Sequence, residues 1–422
     1  MHPNALLEAA TELVHRILRF EHPADRVVAD LFREQRMLGA RDRKTLADGA
    51  FELMRRLPFY RHLASPANGG RGEIDRRLAI LSWQGNDGVL RAALDERERE
   101  WAARCGAFDR DALPPRLRHN LPEWLAEPVE ARLGDEFWDW VAANERPAPL
   151  DLRVNALKAG RDEVLAVLAR EGFEAAPTPH SPLGIRVDGK PALMKLDLFA
   201  QGLVEVQDEG SQLLALALGA RRGEMVVDFC AGAGGKTLAL GAQMRNTGRL
   251  YAFDVSGHRL AALRPRLERS GLGNVHPAQI AHERDERVKR LAGKADRVLV
   301  DAPCTGSGTL RRHPDLKWRQ SPETLAALPP LQRAILAAAS RLVKPGGRLV
   351  YATCSVLDAE NEAVANEFDA AHASEFARVD AAECLRKAQV EGAEGLVEGD
   401  SLRLWTQRQN TDSFFAAVWQ RH

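Results

Sequence analysis

The 422-residue sequence predicts an α/β protein in which a helical domain precedes a doubly wound, mostly parallel sheet. Three observations lead to this fold class. The first third of the chain has helical periodicity and no convincing strand pattern. A Pro-rich linker and a small mixed segment follow it. From about residue 207, short apolar runs alternate with helical stretches, which is typical of a parallel sheet covered by helices.

The composition is that of a globular protein, with 45% hydrophobic and 28% charged residues. No apolar run reaches membrane-spanning length, and the N-terminus lacks the pattern of a signal peptide. Five cysteines are too few and too scattered for a disulfide framework, so we expect a cytoplasmic protein with no membrane partner. Because 59 basic residues balance 59 acidic ones, a nucleic-acid surface would have to come from local clusters.

Residues 1–145 predict a helical domain. Apolar residues in its first helix recur at i, i+3, i+4 and i+7, namely Leu6, Leu7, Ala10, Leu13, Val14, Ile17 and Leu18. Similar stripes follow around Leu31, Leu53 and Leu78. Such a domain is either a folded extension or a surface that docks RNA or protein, and helical periodicity alone does not separate the two.

Residues 146–206 predict a small α+β module that begins with the linker Arg146–Pro149. Strand-like runs lie at 150–155, 185–187 and 203–206, and a helix is expected over 161–170. The remainder, 207–422, predicts the doubly wound domain. Its expected strands are 225–228, 250–254, 297–301 and 348–352, and its expected helices are 209–218, 236–244, 257–270 and 331–342.

A glycine-rich turn, Cys230–Thr237, joins the first of these strands to a helix. Glycines there let backbone amides approach a ligand at the positive end of the helix. The turn lacks only the first glycine of a phosphate-binding P-loop, where Cys230 stands instead. Asp254, twenty residues past Gly234 at the end of the next strand, fits instead a nucleoside site that binds ribose hydroxyls. A plain tight turn, with Asp254 capping the next helix, is the third interpretation.

Two cysteines, Cys304 and Cys354, each follow a predicted strand, and Asp301 ends the first of these strands. A buried cysteine alone is usually a small hydrophobe. Two of them at one sheet edge beside an acid favour nucleophilic chemistry, in which a thiolate adds to an electron-poor carbon. Attack at C6 of cytosine would make C5 nucleophilic enough to accept a methyl group, with Asp301 stabilising the charge near N3 and N4. No Cys-x-x-Cys pair supports a redox site, and no ligand cluster supports zinc.

Basic residues and a tryptophan lie together between the two cysteines, in Arg311–Arg319. Such a mixture suits phosphate contact and base stacking, but a solvated charged face is an equally good interpretation. A second basic stretch, 284–294, is better explained as a solvated helix face.

These motifs resemble the RsmB/Nop/Sun-type RNA 5-methylcytosine methyltransferases. The resemblance covers residues from about 150 to the C-terminus, and the paired Pro-Cys and Thr-Cys motifs are its most specific part. The matching stretches are Val206–Ser211, Asp228–Thr237, Asp301–Cys304, Arg311–Trp318, Pro345–Gly347, Tyr351–Ser355 and Glu360–Asn361. The first 145 residues resemble, more weakly, the NusB-like domain of some bacterial members.

The resemblance implies a Rossmann-type class I methyltransferase domain that uses S-adenosylmethionine, and an RNA-binding role for the small module. It assigns Cys354 as the nucleophile and Cys304 as the thiol that assists release of the methylated RNA. Asp301 and Lys236 would contact the target cytosine. The implied cofactor-binding residues are Cys230, Ala231, Gly232, Ala233, Gly234, Gly235, Lys236, Asp254, which would hold the ribose, and Asp301.

Some positions depart from the family pattern. Ala231-Gly232-Ala233 stands where Ala-Ala-Pro is usual, and Thr305 replaces a common serine. His282 stands where an acid near the adenosine is common, so Glu283 or Asp285 could substitute. We expect a monomeric enzyme that methylates ribosomal RNA, with 16S rRNA first and tRNA as the alternative. A P-loop NTPase and a non-catalytic RNA-binding protein remain as further hypotheses.

Overall fold

A computed structural model describes residues 1–83, 87–189 and 192–422. The chain forms two compact units. One contains Met1–Pro147 together with Thr309–Pro322, and the other contains Ala148–Gly308 together with Glu323–His422. We call them the helical unit and the sheet unit. None of the described helices is both long and apolar enough to cross a membrane.

The helices and strands are numbered in chain order. The helices are α1 Pro3–Ile17, α2 Ala24–Glu34, α3 Ala40–Arg55, α4 Leu57–Leu63, α5 Ile74–Ser82, α6 Asp87–Ala93, α7 Glu96–Gly106, α8 Pro115–Arg118, α9 Glu123–Leu133, α10 Phe137–Asn144, α11 Arg161–Arg170, α12 Asp197–Ala200, α13 Glu209–Leu218, α14 Gly235–Gln243, α15 Gly257–Ser270, α16 Glu286–Lys289, α17 Leu316–Arg319, α18 Pro322–Ser340, α19 Glu362–His372, α20 Ala381–Lys387 and α21 Thr406–Gln409. The strands are β1 Leu150–Val154, β2 Ala175–Pro177, β3 Gly184–Val187, β4 Val204–Val206, β5 Met225–Asp228, β6 Arg249–Asp254, β7 Val275–Gln279, β8 Ala295–Asp301, β9 Val343–Thr353, β10 Phe376–Val379, β11 Val397–Glu398, β12 Ser401–Leu404 and β13 Phe414–Arg421.

The helical unit is built on the apolar stripes that the sequence predicts. Leu7, Leu13, Leu31 and Leu53 are among the side chains that form its continuous core. Within the described residues, the first strand begins at Leu150, so the expectation of an all-helical first third is confirmed. Burial of these stripes supplies the main stabilisation of such a bundle, at about 25 cal/mol per Å² of apolar surface.

The sheet unit begins with a four-stranded antiparallel sheet in the order β2-β3-β1-β4. Helix α11 and apolar strand residues, including Leu152 and Ile185, form its core. The predicted strands and helix of this module are present, whereas β2 was not predicted. Strand β2 has three residues and ends at Pro177, at an edge of the sheet where proline is tolerated.

The larger sheet has the order β11-β12-β13-β9-β8-β5-β6-β7, with β10 paired to β13. Strands β9, β8, β5, β6 and β7 are parallel, as the alternating pattern predicts, and β13 is antiparallel to β9. The α/β fold class is therefore confirmed. Apolar clusters cover both faces of the central strands. The carboxyl ends of β5, β6, β8 and β9 consequently lie along one edge, where open α/β sheets bind ligands.

Candidate active site

The two predicted thiols lie together. Strands β8 and β9 are parallel neighbours, and Asp301 is aligned with Ala352, so the residues that follow each strand emerge side by side. The Sγ atoms of Cys304 and Cys354 are 3.3 Å apart, with both side chains half-buried and neither in a disulfide. At this distance, both sulfur atoms can reach the same small substrate group.

The environments of the two thiols differ. The hydrogen bond with Cys354, followed by burial, raises the pKa of the Cys304 thiol well above its usual value. The nearby Glu360 carboxylate acts in the same direction. Cys354 instead lies near the Lys236 ammonium. A negative charge on Cys354 is one of the causes that raise the pKa of Lys236. The raised pKa of Cys304 favours its neutral thiol, and Cys354 is the thiol that lies near the Lys236 ammonium.

Asp301 and Lys236 form an ion pair at the same edge. The Nζ atom of Lys236 is 2.7 Å from Oδ2 of Asp301. Burial alone would lower the pKa of Lys236, but the Asp301 carboxylate outweighs it and the pKa is raised. Lys236 is therefore a charged donor beside the thiols, whereas in a P-loop the same lysine would serve a phosphate. The carboxylate of Asp301 retains side-chain exposure of 30%, enough to meet a ligand.

The glycine-rich turn connects β5 to α14. Gly232 and Gly234 have φ angles of +54° and +84°, a region that side chains with a Cβ rarely adopt. A Cβ on Gly234 would also lie 2.1 Å from Leu263. The turn is fixed to the next strand, because the Gly232 amide donates to Oδ2 of Asp254 at 2.8 Å. Asp254 also accepts from the Ser256 amide at 2.7 Å, which leaves lone pairs on both oxygens for a further donor.

Two groups with raised pKa values stand at the start of this turn, namely the buried Asp228 and the half-buried Cys230. Burial raises the pKa of Asp228 to about 7, and the negative charge of Asp301 adds to the effect although the Thr237 hydroxyl opposes it. Oδ2 of Asp228 accepts that hydroxyl at 2.6 Å, whereas its buried Oδ1 has no hydrogen-bond partner in the described part of the chain. Burial, followed by the charges of Asp301 and Asp228, raises the pKa of the Cys230 thiol well above its usual value. Cys230 therefore contributes an uncharged thiol to the site.

Two arginines hold the turn from outside. Nη1 of Arg266, on α15, donates to the Ala233 carbonyl at 2.7 Å. Nη1 of Arg153, on β1, donates to the Gly235 carbonyl at 2.8 Å. Glu205 pairs with Arg266 at 3.1 Å and thereby fixes its orientation. Sequence reasoning missed all three residues, because nothing in their local sequence signals contacts with partners 33 to 82 residues away.

The basic segment between the two cysteines differs from the sequence interpretation. Arg311 and Lys317 are only 2% and 5% exposed, in the interior of the helical unit. Lys317 donates to the Arg55 carbonyl at 2.8 Å, and the Trp318 indole donates to the Met54 carbonyl at 2.8 Å. Burial lowers the pKa of Lys317 to about 7. Because Arg311 and Lys317 are buried, neither the RNA contact nor the solvated face that the sequence allowed holds for these two residues.

The second basic stretch is exposed, as expected of a solvated face. Arg284, Arg287 and Lys289 lie on the surface around the short helix α16. Of the two acids considered as substitutes for His282, Asp285 caps its own turn by accepting from the amides of Ala281 and Arg287. These backbone bonds lower the pKa of Asp285. Its carboxylate thus already has a local structural role.

Two family models match the chain. The model described as 16S rRNA methyltransferase RsmB/F matches residues 215–420. A second model, described as the ferredoxin-like domain of RsmF/B-like methyltransferases, matches residues 121–193. The first match contains every predicted catalytic residue, and the second contains most of the small antiparallel sheet.

Several proteins with similar sequences are named as ribosomal RNA small subunit methyltransferases. The Pseudomonas putida ribosomal RNA small subunit methyltransferase B is 32% identical over 360 residues, which cover 85% of this chain and 78% of that protein. A probable ribosomal RNA small subunit methyltransferase B from Synechocystis is 39% identical over 264 residues. That match covers 62% of this chain and 59% of the relative, so the chain spans about three fifths of the relative's length.

A solved structure shows a similar fold over the whole chain. The crystal structure of PH0851 superposes with a TM-score of 0.79 at 26% sequence identity, covering 99% of both chains. The sequence match to Pseudomonas putida extends over most of each protein, and the paired cysteines lie at neighbouring strand ends. The chain therefore belongs to the RsmB/F family of methyltransferases.

Proposed function

We propose that this protein transfers a methyl group from S-adenosylmethionine to C5 of a cytosine in RNA, with 16S rRNA as the substrate. The observation that carries the proposal is the pair of thiols 3.3 Å apart beside the Asp301–Lys236 ion pair. One nucleophilic thiol would suit many acyl or alkyl transfers. A second thiol at contact distance suits a reaction in which one sulfur attacks a ring and the other assists its release.

The residues around the glycine-rich turn fit the cofactor. S-adenosylmethionine carries a sulfonium cation, and the carboxyl groups of Asp228, Asp254 and Asp301 lie around the turn. Asp228 offers a buried oxygen with no partner in the described residues, and Asp254 retains lone pairs for ribose hydroxyls. Amides at the start of α14 complete the set of donors. When bound, this cofactor supplies an electrophilic methyl group.

The remaining chemistry is assigned to side chains of the protein. The sulfur of Cys354, near the Lys236 ammonium, adds as a thiolate to C6 of cytosine and forms a sulfur–carbon bond. Asp301 and Lys236 balance the charge that develops on the ring, which makes C5 nucleophilic. After C5 has gained the methyl group, a base with solvent as the final acceptor removes its proton, the C5–H electron pair re-forms the 5,6 double bond, and the sulfur–carbon bond breaks with its electrons on the sulfur of Cys354. Cys304, in contact with Cys354, assists this release.

The ribosomal substrate is supported by the names of the relatives, which are small-subunit rRNA methyltransferases. With tRNA as the substrate, the chemistry would be the same. The P-loop hypothesis has less support, because Lys236 is paired with an acid rather than directed at a phosphate site. The non-catalytic hypothesis also has less support, because RNA binding alone does not require two thiols in contact.

The proposal is tested by bisulfite sequencing of 16S rRNA and tRNA from cells with and without this protein. We expect one 16S cytosine to lose its bisulfite protection when the protein is absent, and purified protein with labelled S-adenosylmethionine to restore it. Loss confined to tRNA would contradict the ribosomal substrate. Binding of ATP with Mg²⁺, without binding of S-adenosylmethionine in calorimetry, would contradict the methyltransferase proposal altogether.

A further inference from the structure

Glu360 lies beneath the two thiols, six residues after Cys354 in the sequence. Its side chain is completely buried. The carboxylate nevertheless accepts four hydrogen bonds. The donors are the Thr305 amide at 2.9 Å, the Thr305 hydroxyl at 2.6 Å, the Gln332 amide group at 3.0 Å and the Ser355 hydroxyl. A buried carboxylate with both oxygens satisfied in this way is held in one orientation.

The donors belong to the two loops that carry the thiols. Thr305 directly follows Cys304, and Ser355 directly follows Cys354. Gln332 also donates to the Pro303 carbonyl at 2.9 Å, so it links the residue before Cys304 to the same carboxylate. The Glu360 carboxylate is thus linked to the residues on both sides of Cys304 and to the residue that follows Cys354.

The energetics argue against a purely space-filling role. A buried carboxylate loses its hydration, and an apolar side chain of similar volume is often as stable in such a position. Removing the carboxylate from Glu360 would instead take away the acceptor of the buried Thr305 amide, and the Thr305 and Ser355 hydroxyls would have to bond to each other or to Ser307. The Thr305 hydroxyl itself donates to the carboxylate, so the contact depends on a side chain next to Cys304.

We propose that Glu360 is a positioning residue whose carboxylate holds the Cys304 loop against the Cys354 loop, so that both sulfur atoms reach the same base. The catalytic consequence rests on the function proposed above. The geometric part can be measured without RNA or cofactor, so failure of one proposal can be told from failure of the other.

The geometric test measures the effective concentration of one thiol at the other. Diamide takes two electrons and two protons from Cys304 and Cys354 and leaves one disulfide, which mass spectrometry of non-reduced peptides quantifies. The rate of disulfide formation is divided by the rates at which iodoacetamide alkylates each thiol, measured in the Cys304→Ala and Cys354→Ala proteins. This ratio corrects for any change in thiol reactivity caused by loss of the Glu360 charge.

For Glu360→Ala, we expect the ratio to fall on the order of 10- to 100-fold, because displacement of a reacting group by about 1 Å has effects of that size. Glu360→Gln can keep the same hydrogen bonds, with the two hydroxyls turned to accept, and should retain most of the ratio. Glu360→Asp keeps the charge but not the reach, so it should resemble alanine. If circular dichroism shows that the Glu360→Ala protein does not fold, the test rests on Glu360→Asp alone.

The matched control is Glu367→Gln, on the exposed side of α19, where the side chain pairs with Arg333. It should leave the ratio unchanged. In RNA methylation, Glu360→Asp should lower kcat while KM for RNA stays within about two-fold, since only the relative position of the thiols is altered. An unchanged disulfide ratio in both the alanine and aspartate proteins would overturn the proposal, whatever their methylation activity.

Discussion

The two halves of the site are held in opposite ways. The glycine-rich turn is held by cations, because Arg153 and Arg266 donate hydrogen bonds to its backbone carbonyls. The thiol edge is held from inside, where Glu360 accepts hydrogen bonds from groups beside each cysteine. Of the two arginines, Arg266 is partly exposed and Arg153 is buried, with 4% exposure, whereas Glu360 is completely buried.

This difference follows from what each half must do. Under the proposed function, a cofactor enters and leaves in every cycle, so hydrogen bonds to the backbone of the turn, one of them from the partly exposed Arg266, are adequate there. The thiols must keep their separation while a ring is attacked and released, which favours a rigid and water-free support. Changes at the thiol edge should therefore affect the chemical step, and changes at the arginines should affect cofactor affinity.

The largest effect is expected at the thiols themselves. Cys354→Ala should lower methylation by at least about 10⁴-fold, as expected for removal of a nucleophile. It should form no covalent protein–RNA complex. Cys304→Ala should accumulate that complex, because release is impaired after attack. Denaturing gel electrophoresis of each protein with labelled RNA and S-adenosylmethionine distinguishes them.

Cys384→Ala, at a buried cysteine in the sheet unit outside the site, is the control for these variants. A Cys354→Ala protein that retains methyl transfer, or that itself traps RNA covalently, would reverse the assignment of the two thiols.

The second effect concerns pH and Asp228. Because the folded pKa is about 7 and the ordinary value is 3.8, the folded protein retains this proton between those limits and the unfolded chain releases it. The contribution of Asp228 to stability is therefore greatest below pH 4 and is lost as pH rises to 7. Asp228→Asn should gain stability relative to the natural protein over this range, by at most about 4 kcal/mol.

Urea unfolding at pH 5 and pH 8 measures the Asp228 effect, with Asp188→Asn, at an exposed turn, as the control. The asparagine protein should show its advantage mainly at pH 8. An equal difference at both pH values would mean that the carboxyl group does not titrate as proposed.

The smallest effect is expected at the arginines that hold the glycine-rich turn. Arg266→Ala removes the donor to the Ala233 carbonyl and should weaken S-adenosylmethionine binding by about 10-fold, the value of one charge-assisted hydrogen bond. The rate of disulfide formation between the thiols should not change. Arg264→Ala, at an exposed position of the same helix, is the matched control for calorimetry. A changed disulfide rate in Arg266→Ala would show that the two halves of the site are not independent.

Much of the fold follows from local pattern. Amphipathic stripes such as Leu6–Leu18 and apolar runs such as Val298–Val300 predict their own secondary structure, because burial selects one helical face or a whole central strand. The sequence analysis missed β7 and the C-terminal strands β10 to β13. Strand β7 contains Pro277 and lies at the sheet edge, which weakens its strand signal. Strand β13 pairs antiparallel with β9, a partner more than 60 residues away that no local pattern specifies.

The sequence by itself determined which chemical groups meet at the edge of the sheet. Pro303-Cys304, Thr353-Cys354 and the glycine-rich turn follow strands of one parallel sheet, so they had to meet at its edge. Only the tertiary structure decided what supports them and where the basic segment lies. From the sequence, the side chains of Arg311 and Lys317 could be solvated or could bind RNA, yet both are buried in the helical unit. Whether a charged side chain faces water or pairs inside depends on residues distant in sequence, and therefore on the completed fold.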